Sequence, residues 1–594
     1  MAKLMLDPSQ SLNRAIAAYN AGKLVEAEQL CQQIINTKPL FDALHLLAVI
    51  QSSLGKKDAA LASYDRALTV RPNYAEVLSN RGVTLHGLKR FEEALASYDR
   101  ALTARPNYAE ALSNRGNTLK ELKRFDEALT SYDLALTVRP DYAEAHYNRG
   151  ITLQELKRFE EALASYARAL AVQPKYAEAH YNSGGALKEL KRFEDALASY
   201  DLALTARPNY AEALSNRGLT LHELKRFEEA LASYDLALAV RPDYAEAHYN
   251  RGITLQELKR FEEALASYDR AIAVQPEYAE AHWNEALLRL LNGDFIGGWV
   301  KYEWRLKNES LAVTKRSFSQ PLWLGADAID GKAILLHSEQ GFGDTIQFCR
   351  YVPLVAARGA RVILEVEGTL QELMTTLPGA TQIISKGNPL PEFDFQCPLL
   401  SLPLAFGTRH ETIPSVTPYL RAPVPALRYW QSKLGPKARP RIGLVWSGRP
   451  THKNDQNRSI SLHSLIPLMN TQATFVSLQK DVRTGDVTVL KDQSDMLHFG
   501  DTLQDFSDTA ALISNLDLVI SVDTSVAHLA GALAKPVWVL LPYVCDWRWL
   551  LDREDSPWYP TARLFRQDDT RAWDNVIARV HCALHDFVQR PFVK

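Results

Sequence analysis

Cysteine, net charge and long apolar runs are all in short supply, and each shortage removes a class of protein. The five cysteines (Cys31, Cys349, Cys397, Cys545 and Cys582) are scattered, with no Cys-x-x-Cys pair. That argues against a disulfide framework or a zinc site and fits a reducing compartment. Basic side chains number 68 and acidic ones 70, a formal charge of -2. No global field would therefore draw the chain onto nucleic acid or an anionic membrane. The first residues lack a secretory apolar core, and no run of apolar residues approaches the roughly 20 that a membrane helix needs. The expectation is a cytoplasmic protein with no membrane insertion and no nucleic-acid partner.

What is abundant is self-similarity. Pro72, Pro106, Pro140, Pro174, Pro208, Pro242 and Pro276 recur every 34 residues, each followed two positions later by tyrosine, as at Tyr74 and Tyr108. A period of that length marks tetratricopeptide repeats, each a pair of helices. Gly116, Ala128 and Ala135 are small where two helices must touch. Leu119, Leu122, Phe125 and Tyr132 supply the apolar stripe, and the proline ends the second helix. The units from 73 to 276 are near copies, preceded by two looser ones and followed to about 308 by a degenerate one containing Trp283, Trp299, Tyr302 and Trp304. This predicts an all-α solenoid of about nine repeats over 1–308, its last unit packed on the next domain.

One recurrence is not explained by packing. Asn80, Asn114, Asn148, Asn182, Asn216, Asn250 and Asn284 hold the same place on the first helix of seven units, although asparagine is a mediocre helix former. A ladder of amides, each with two donors and an acceptor, can bind the backbone of an extended peptide whatever its sequence. Plain duplication of one asparagine is the alternative. The Lys-Arg pairs, such as Lys123 and Arg124, read as a solvated edge at the turn between helices.

After Pro321 the period vanishes, and strands alternate with glycine-containing turns and helices, an α/β texture. Strands are predicted at 333–337, 361–366, 442–446, 475–478, 518–522 and 537–541. A proline-containing break near 425–440 separates two Rossmann-like units, 331–430 and 440–594, behind a linker at 309–330. In Leu516 to Pro536 a strand ends at Asp523 and a helix begins with Thr524 and Ser525, a placement that binds phosphate or is simply capped.

Three sets of residues carry a resemblance to known families. The asparagine ladder is similar to that in the superhelix of O-GlcNAc transferases. Asp523-Thr524-Ser525 with His528, Leu529, Ala530 and Pro536, together with Gly343-Asp344, resembles the motifs of the heptosyltransferase-like glycosyltransferases over roughly 330–570. That resemblance implies an all-α TPR solenoid followed by a GT-B-like α/β part that moves a sugar from a nucleotide-sugar donor to an acceptor hydroxyl, inverting its configuration. It assigns Asp523, Thr524 and Ser525 to the donor's phosphate and ribose. His528 either touches phosphate or is a packed core histidine. Asp344 is implied as general base, beside Gly343, and is equally placed to cap the helix expected near Thr345.

Trp446 and Ser447 match the family's strand-to-loop segment. Lys453, Arg458 and Lys480, with Gln479, are candidates to neutralise the leaving diphosphate, and which of them does so is left open. No Asp-x-Asp triplet follows residue 320, so no metal is expected, and the nucleotide sugar is a substrate rather than a cofactor. Proteins that combine these two modules include flagellin glycosyltransferases. The expected partner is a protein or peptide lying along the repeats. Transfer to lipopolysaccharide or another glycan, and a scaffold with an inactive transferase fold, are the alternatives.

Overall fold

The computed structural model describes residues 8–311, 316–339, 341–452, 454–493 and 495–589. Among these, helices pair from Pro8–Asn20 with Leu24–Thr37 through to Ala279–Leu291 with Phe295–Tyr302. In a typical repeat, Ala109–Glu121 packs on Phe125–Val138, and Leu119, Ala128, Tyr132 and Ala135 are fully buried between them. Gly116 is required there, since a Cβ would stand 2.6 Å from the Tyr132 ring. Arg115 reaches back from the first helix to Asp99 of the preceding repeat and across to Ser131 of its own. The same brace recurs at Arg81, Arg149 and Arg217. At each Lys-Arg turn the lysine takes a left-handed backbone, φ 59° at Lys123, in the place that Gly22, Gly55 and Gly293 occupy in the flanking repeats. Arg124 then pairs with Glu127 at the head of the next helix.

The chain divides into two compact units, Met1–Ala247 and His248–Lys594. The second contains the last helix pairs as well as the α/β part. Trp299 of the last repeat is buried against Trp547, with ring centroids 5.2 Å apart, and donates its indole N–H to the Thr408 carbonyl at 3.0 Å. Arg305, with no exposed surface, bonds Glu303, Glu339 and Ser401. Trp304 instead stacks on His282 and Trp283 leans on Tyr302, so of the aromatics expected at this junction Trp299 and Tyr302 make the buried contact with Trp547.

Two parallel sheets follow. The first comprises β1 (Ala333–His337), β2 (Arg361–Val366), β3 (Ala380–Ser385) and β4 (Phe395–Pro398), in the order β3-β2-β1-β4. The second comprises β5 (Arg441–Val445), β6 (Thr474–Ser477), β7 (Leu497–His498), β8 (Leu518–Val522), β9 (Val537–Leu541) and β10 (Ala562–Arg566), in the order β10-β9-β8-β5-β6-β7. The Val, Ile and Leu runs of β1, β2, β5, β8 and β9 suit strands buried on both faces. The second order is that of a doubly wound Rossmann sheet, whose direction of winding reverses between β5 and β8. Helix Val424–Leu434, at the predicted break, packs with the second sheet's layer, its Trp430 donating to Asp508 at 2.9 Å. Among the described residues no helix is long and apolar enough to cross a membrane.

Candidate functional site

Ligands of doubly wound sheets bind outside the carboxyl ends of the strands, where the winding reverses. Here the loops after β5 and β8 flank that point, and the sequence places Ser447-Gly448 in one and Asp523-Thr524-Ser525 in the other. Arg458 joins them. Its Nη1 donates to the Asp523 carbonyl at 2.9 Å, while its guanidinium lies so close over Gly448 that a Cβ there would be 2.6 Å from Nη2. Arg458 Nε and the buried Ser447 hydroxyl have no hydrogen-bond partner among the described residues. Unsatisfied buried donors cost about 1–3 kcal/mol each, so a donor and a hydroxyl left open at a helix start suit an anionic ligand with several acceptor oxygens. The loop is held in shape by Asp455, which pairs with Arg483 and accepts from Ser459 at 2.7 Å. Arg483 was not singled out from the sequence.

Thr524 is extended and precedes helix Ser525–Ala532 without capping it through its side chain, its hydroxyl lying 3.1 Å from that of Ser521. The Ser525 end of this helix meets helix Phe342–Phe348 from the first sheet. Gly343 permits the approach, because a Cβ would lie 3.0 Å from the His528 ring. Gly343 is therefore a packing position between the two sheets. His528 is 5% exposed, its Nδ1 lies 2.9 Å from the Tyr559 hydroxyl, and its ring stacks on Trp549. Burial lowers its pKa to about 3, so it is a neutral core histidine.

Asp344 is the third residue of helix Phe342–Phe348, which starts before the predicted Thr345. Its Oδ2 accepts from the Gly341 N–H at 3.2 Å, and its Oδ1 pairs with Arg548. Arg548, in the turn Trp547–Trp549 beyond β9, also donates to Asp546 at 2.9 Å and to Gln347 at 2.6 Å. This arginine and Asp546 escaped the sequence reading. The signal that could have found them is Asp546-Trp547-Arg548-Trp549 in a loop at the carboxyl edge of the sheet. Burial raises the Asp344 pKa, and Arg548 opposes it. Burial and the charge of Asp546 raise Asp523 to about 6, against Arg458 and Arg548. The base candidate, a buried cation and the helix start thus lie together where helices Phe342–Phe348 and Ser525–Ala532 meet.

Two other sequence assignments, Trp446 and Gln479, are corrected by the side-chain environment. Trp446 has no exposed surface; its indole bonds Asp486 at 3.0 Å within the core of the second sheet. The Gln479 amide is saturated, accepting from the Trp446 and Ser447 N–H groups and donating to the Ser447 and Asp481 carbonyls. It shapes the loop and has nothing left for a donor. Lys480 is exposed and bonds the Gln504 carbonyl at 3.2 Å. Lys453 lies outside the described residues.

On the repeats, six of the seven asparagines are half-buried and Asn250 is buried. Asn182, Asn216 and Asn284 each donate to the tyrosine hydroxyl of the preceding repeat, Tyr147, Tyr181 and Tyr249, at 2.8–3.1 Å. Asn80 faces His45 in the same way at 3.4 Å. Part of each of these amides therefore ties repeat to repeat.

Comparison with known proteins agrees with this division. Tetratricopeptide repeats match at residues 46–109, 107–175, 147–211, 218–259 and 245–278. Residues 503–541 match glycosyltransferase family 9 (heptosyltransferase). The chain joins tetratricopeptide repeats to a heptosyltransferase-like part. The family 9 match runs from before helix Phe506–Ser514 to the end of β9 and so contains the Asp523 loop. A curated relative, Protein FlbA of Caulobacter vibrioides, is 26% identical over 328 residues, which cover 51% of this chain and 54% of that protein. The chain thus spans about half the length of that relative. Two solved structures are similar to part of this chain. YrrB, described as having an unusual peptide-binding site, is 27% identical, with a TM-score of 0.29 over 32% of this chain and 98% of its own. MamA is 24% identical, with a TM-score of 0.27 over 28% and 96%.

Proposed function

We propose that this chain is a glycosyltransferase moving a sugar from a nucleotide-sugar donor to a hydroxyl of a protein bound along its repeats, by an inverting, metal-independent GT-B mechanism in the cytoplasm. The observation that carries it is the switch point of the second sheet, where Arg458 Nε and the Ser447 hydroxyl are left open beside the Asp523 loop. Asp344, paired with Arg548, takes the acceptor hydroxyl's proton as that oxygen attacks the anomeric carbon. The bond from this carbon to the diphosphate breaks, and Arg458 with the free N–H groups at Ser525 receives the leaving charge. Flagellin is the acceptor suggested by proteins of this modular type.

The test takes the full chain with UDP-, GDP-, ADP- and dTDP-sugars in turn, measuring binding by calorimetry and slow hydrolysis by nucleotide release, with and without EDTA. One donor should bind and turn over undiminished by chelation, and intact-mass analysis of cellular proteins should show a sugar added only when the chain is present. Failure of every donor to bind would refute the reading. Loss of turnover in EDTA, restored by magnesium or manganese, would refute its metal-independent form.

A further inference from the structure

A second cavity, of about 420 Å³, opens at the carboxyl ends of β1, β2 and β4 and shares no residue with the Arg458 cluster. Its polar wall is unusual in what it leaves unmade. His337, 5% exposed, bonds the Gln396 side-chain carbonyl through Nε2 at 3.0 Å, and its Nδ1 has no partner among the described residues. Burial lowers the pKa of His337 to about 4, so at neutral pH Nδ1 is a bare lone pair. Glu339, whose side chain is 4% exposed, gives Oε2 to Arg305 at 2.8 Å, while Oε1 is likewise without a partner.

The four charged side chains that line the cavity, Arg316 and Lys386 against Glu339 and Glu365, balance in sign, and Arg316 is paired with Glu365. No net charge remains to hold an ion, and two bare acceptors repel phosphate. What they lack is hydroxyl hydrogens. Leu306 and Leu322 add apolar wall, suited to the C–H face of a ring. From the two orphaned buried acceptors in a charge-matched cavity, we infer that this pocket binds a neutral hexopyranose, donating its hydroxyls to His337 Nδ1 and Glu339 Oε1. Sugar binding here stands whether or not the chain transfers a sugar at the Asp523 loop.

The experiment is saturation-transfer NMR and calorimetry on the full chain with methyl glucoside, methyl mannoside and methyl N-acetylglucosaminide, in the presence and absence of UDP. At least one should bind at millimolar strength without competing with UDP. His337→Phe removes the lone pair but keeps a ring, and should weaken binding about tenfold, the effect of a lost buried hydrogen bond. Leu322→Trp fills the cavity from a position that is itself 37% exposed, so the fold should survive it, and binding should again fall about tenfold or more. No binding by any of the three sugars, competition with UDP, or binding unaltered in Leu322→Trp would overturn the pocket. UDP affinity, measured on the same samples, reports on the donor site separately.

Discussion

Asp344 and Asp523 both feel Arg548 and Asp546, yet only Asp344 is bonded directly to that arginine. Burial raises the Asp344 pKa, as a proton acceptor requires, and the paired Arg548 opposes that rise and favours the ionised form. Asp344→Asn should lower turnover by roughly 10²-fold or more with donor affinity retained, a split visible by comparing kcat with calorimetric binding. Near-normal turnover in the folded variant would remove Asp344 from the chemistry. Asp523, raised to about 6 by burial, is neutral below that pH and gains a negative charge as pH rises through it. His528, at about 3, stays neutral across this window and cannot compensate. Affinity for a nucleotide sugar, whose diphosphate remains dianionic throughout, should therefore fall several-fold between about pH 5 and about pH 8, and Asp523→Asn should flatten the profile. An affinity that is level or rises with pH in the parent would place the phosphate away from Asp523.

Among the elements, the turn between the two helices of a repeat offers the clearest contrast. Lys123 adopts a left-handed backbone with φ 59°, costly for a side chain and free for glycine. Lys123→Gly should stabilise the repeats by about 1 kcal/mol, read as a rise in midpoint on chemical denaturation. Lys259 has the same backbone, φ 56°, but its ammonium lies 3.8 Å over the Tyr543 ring, beside Arg571, which bonds Glu257 at 2.8 Å. There the gain from glycine is offset by a lost cation–π contact worth about 0.5–2 kcal/mol, so Lys259→Gly should bring no stabilisation. A similar gain at both positions would mean that the Tyr543 contact contributes nothing.

For the molecule as a whole, the compact unit beginning at His248 includes repeats that the sequence reading assigned to the solenoid. Removing residues up to 308 would strip away Trp299, which covers Trp547, and Arg305, the cation against which Glu339 is buried. Losing one partner of a buried pair costs about 3–5 kcal/mol. A fragment starting near residue 243 should fold cooperatively in a thermal melt, and one starting at 309 should not. The role of the ladder can be tested in the intact chain by changing Asn114, Asn148, Asn182 and Asn216 together to alanine. Asn182 and Asn216 each lose an inter-repeat hydrogen bond, about 1 kcal/mol apiece, so circular dichroism must first show the helices intact. Transfer to the protein acceptor should then fall sharply while donor hydrolysis is unchanged. Unaltered protein modification would make the ladder purely a tie between repeats.

Periodicity settled most of the architecture before any coordinate was known. A 34-residue repeat of small, apolar and proline positions can be satisfied by little else than stacked helix pairs, and runs such as Leu518–Val522 followed by a helix start can hardly be anything but buried parallel strands. The Asp523 loop was legible for the same reason, since its position depends only on local chain geometry. Side-chain duty was not legible. Trp446 and Gln479 occupy the expected strand ends, but whether a side chain at an edge faces ligand or core depends on neighbours hundreds of residues away or one strand over. Arg548 meets Asp344 across a sequence separation of 204 residues, a pairing no local pattern encodes. The His337 and Glu339 cavity is likewise a product of packing alone, because an unsatisfied atom exists only once everything around it has been placed.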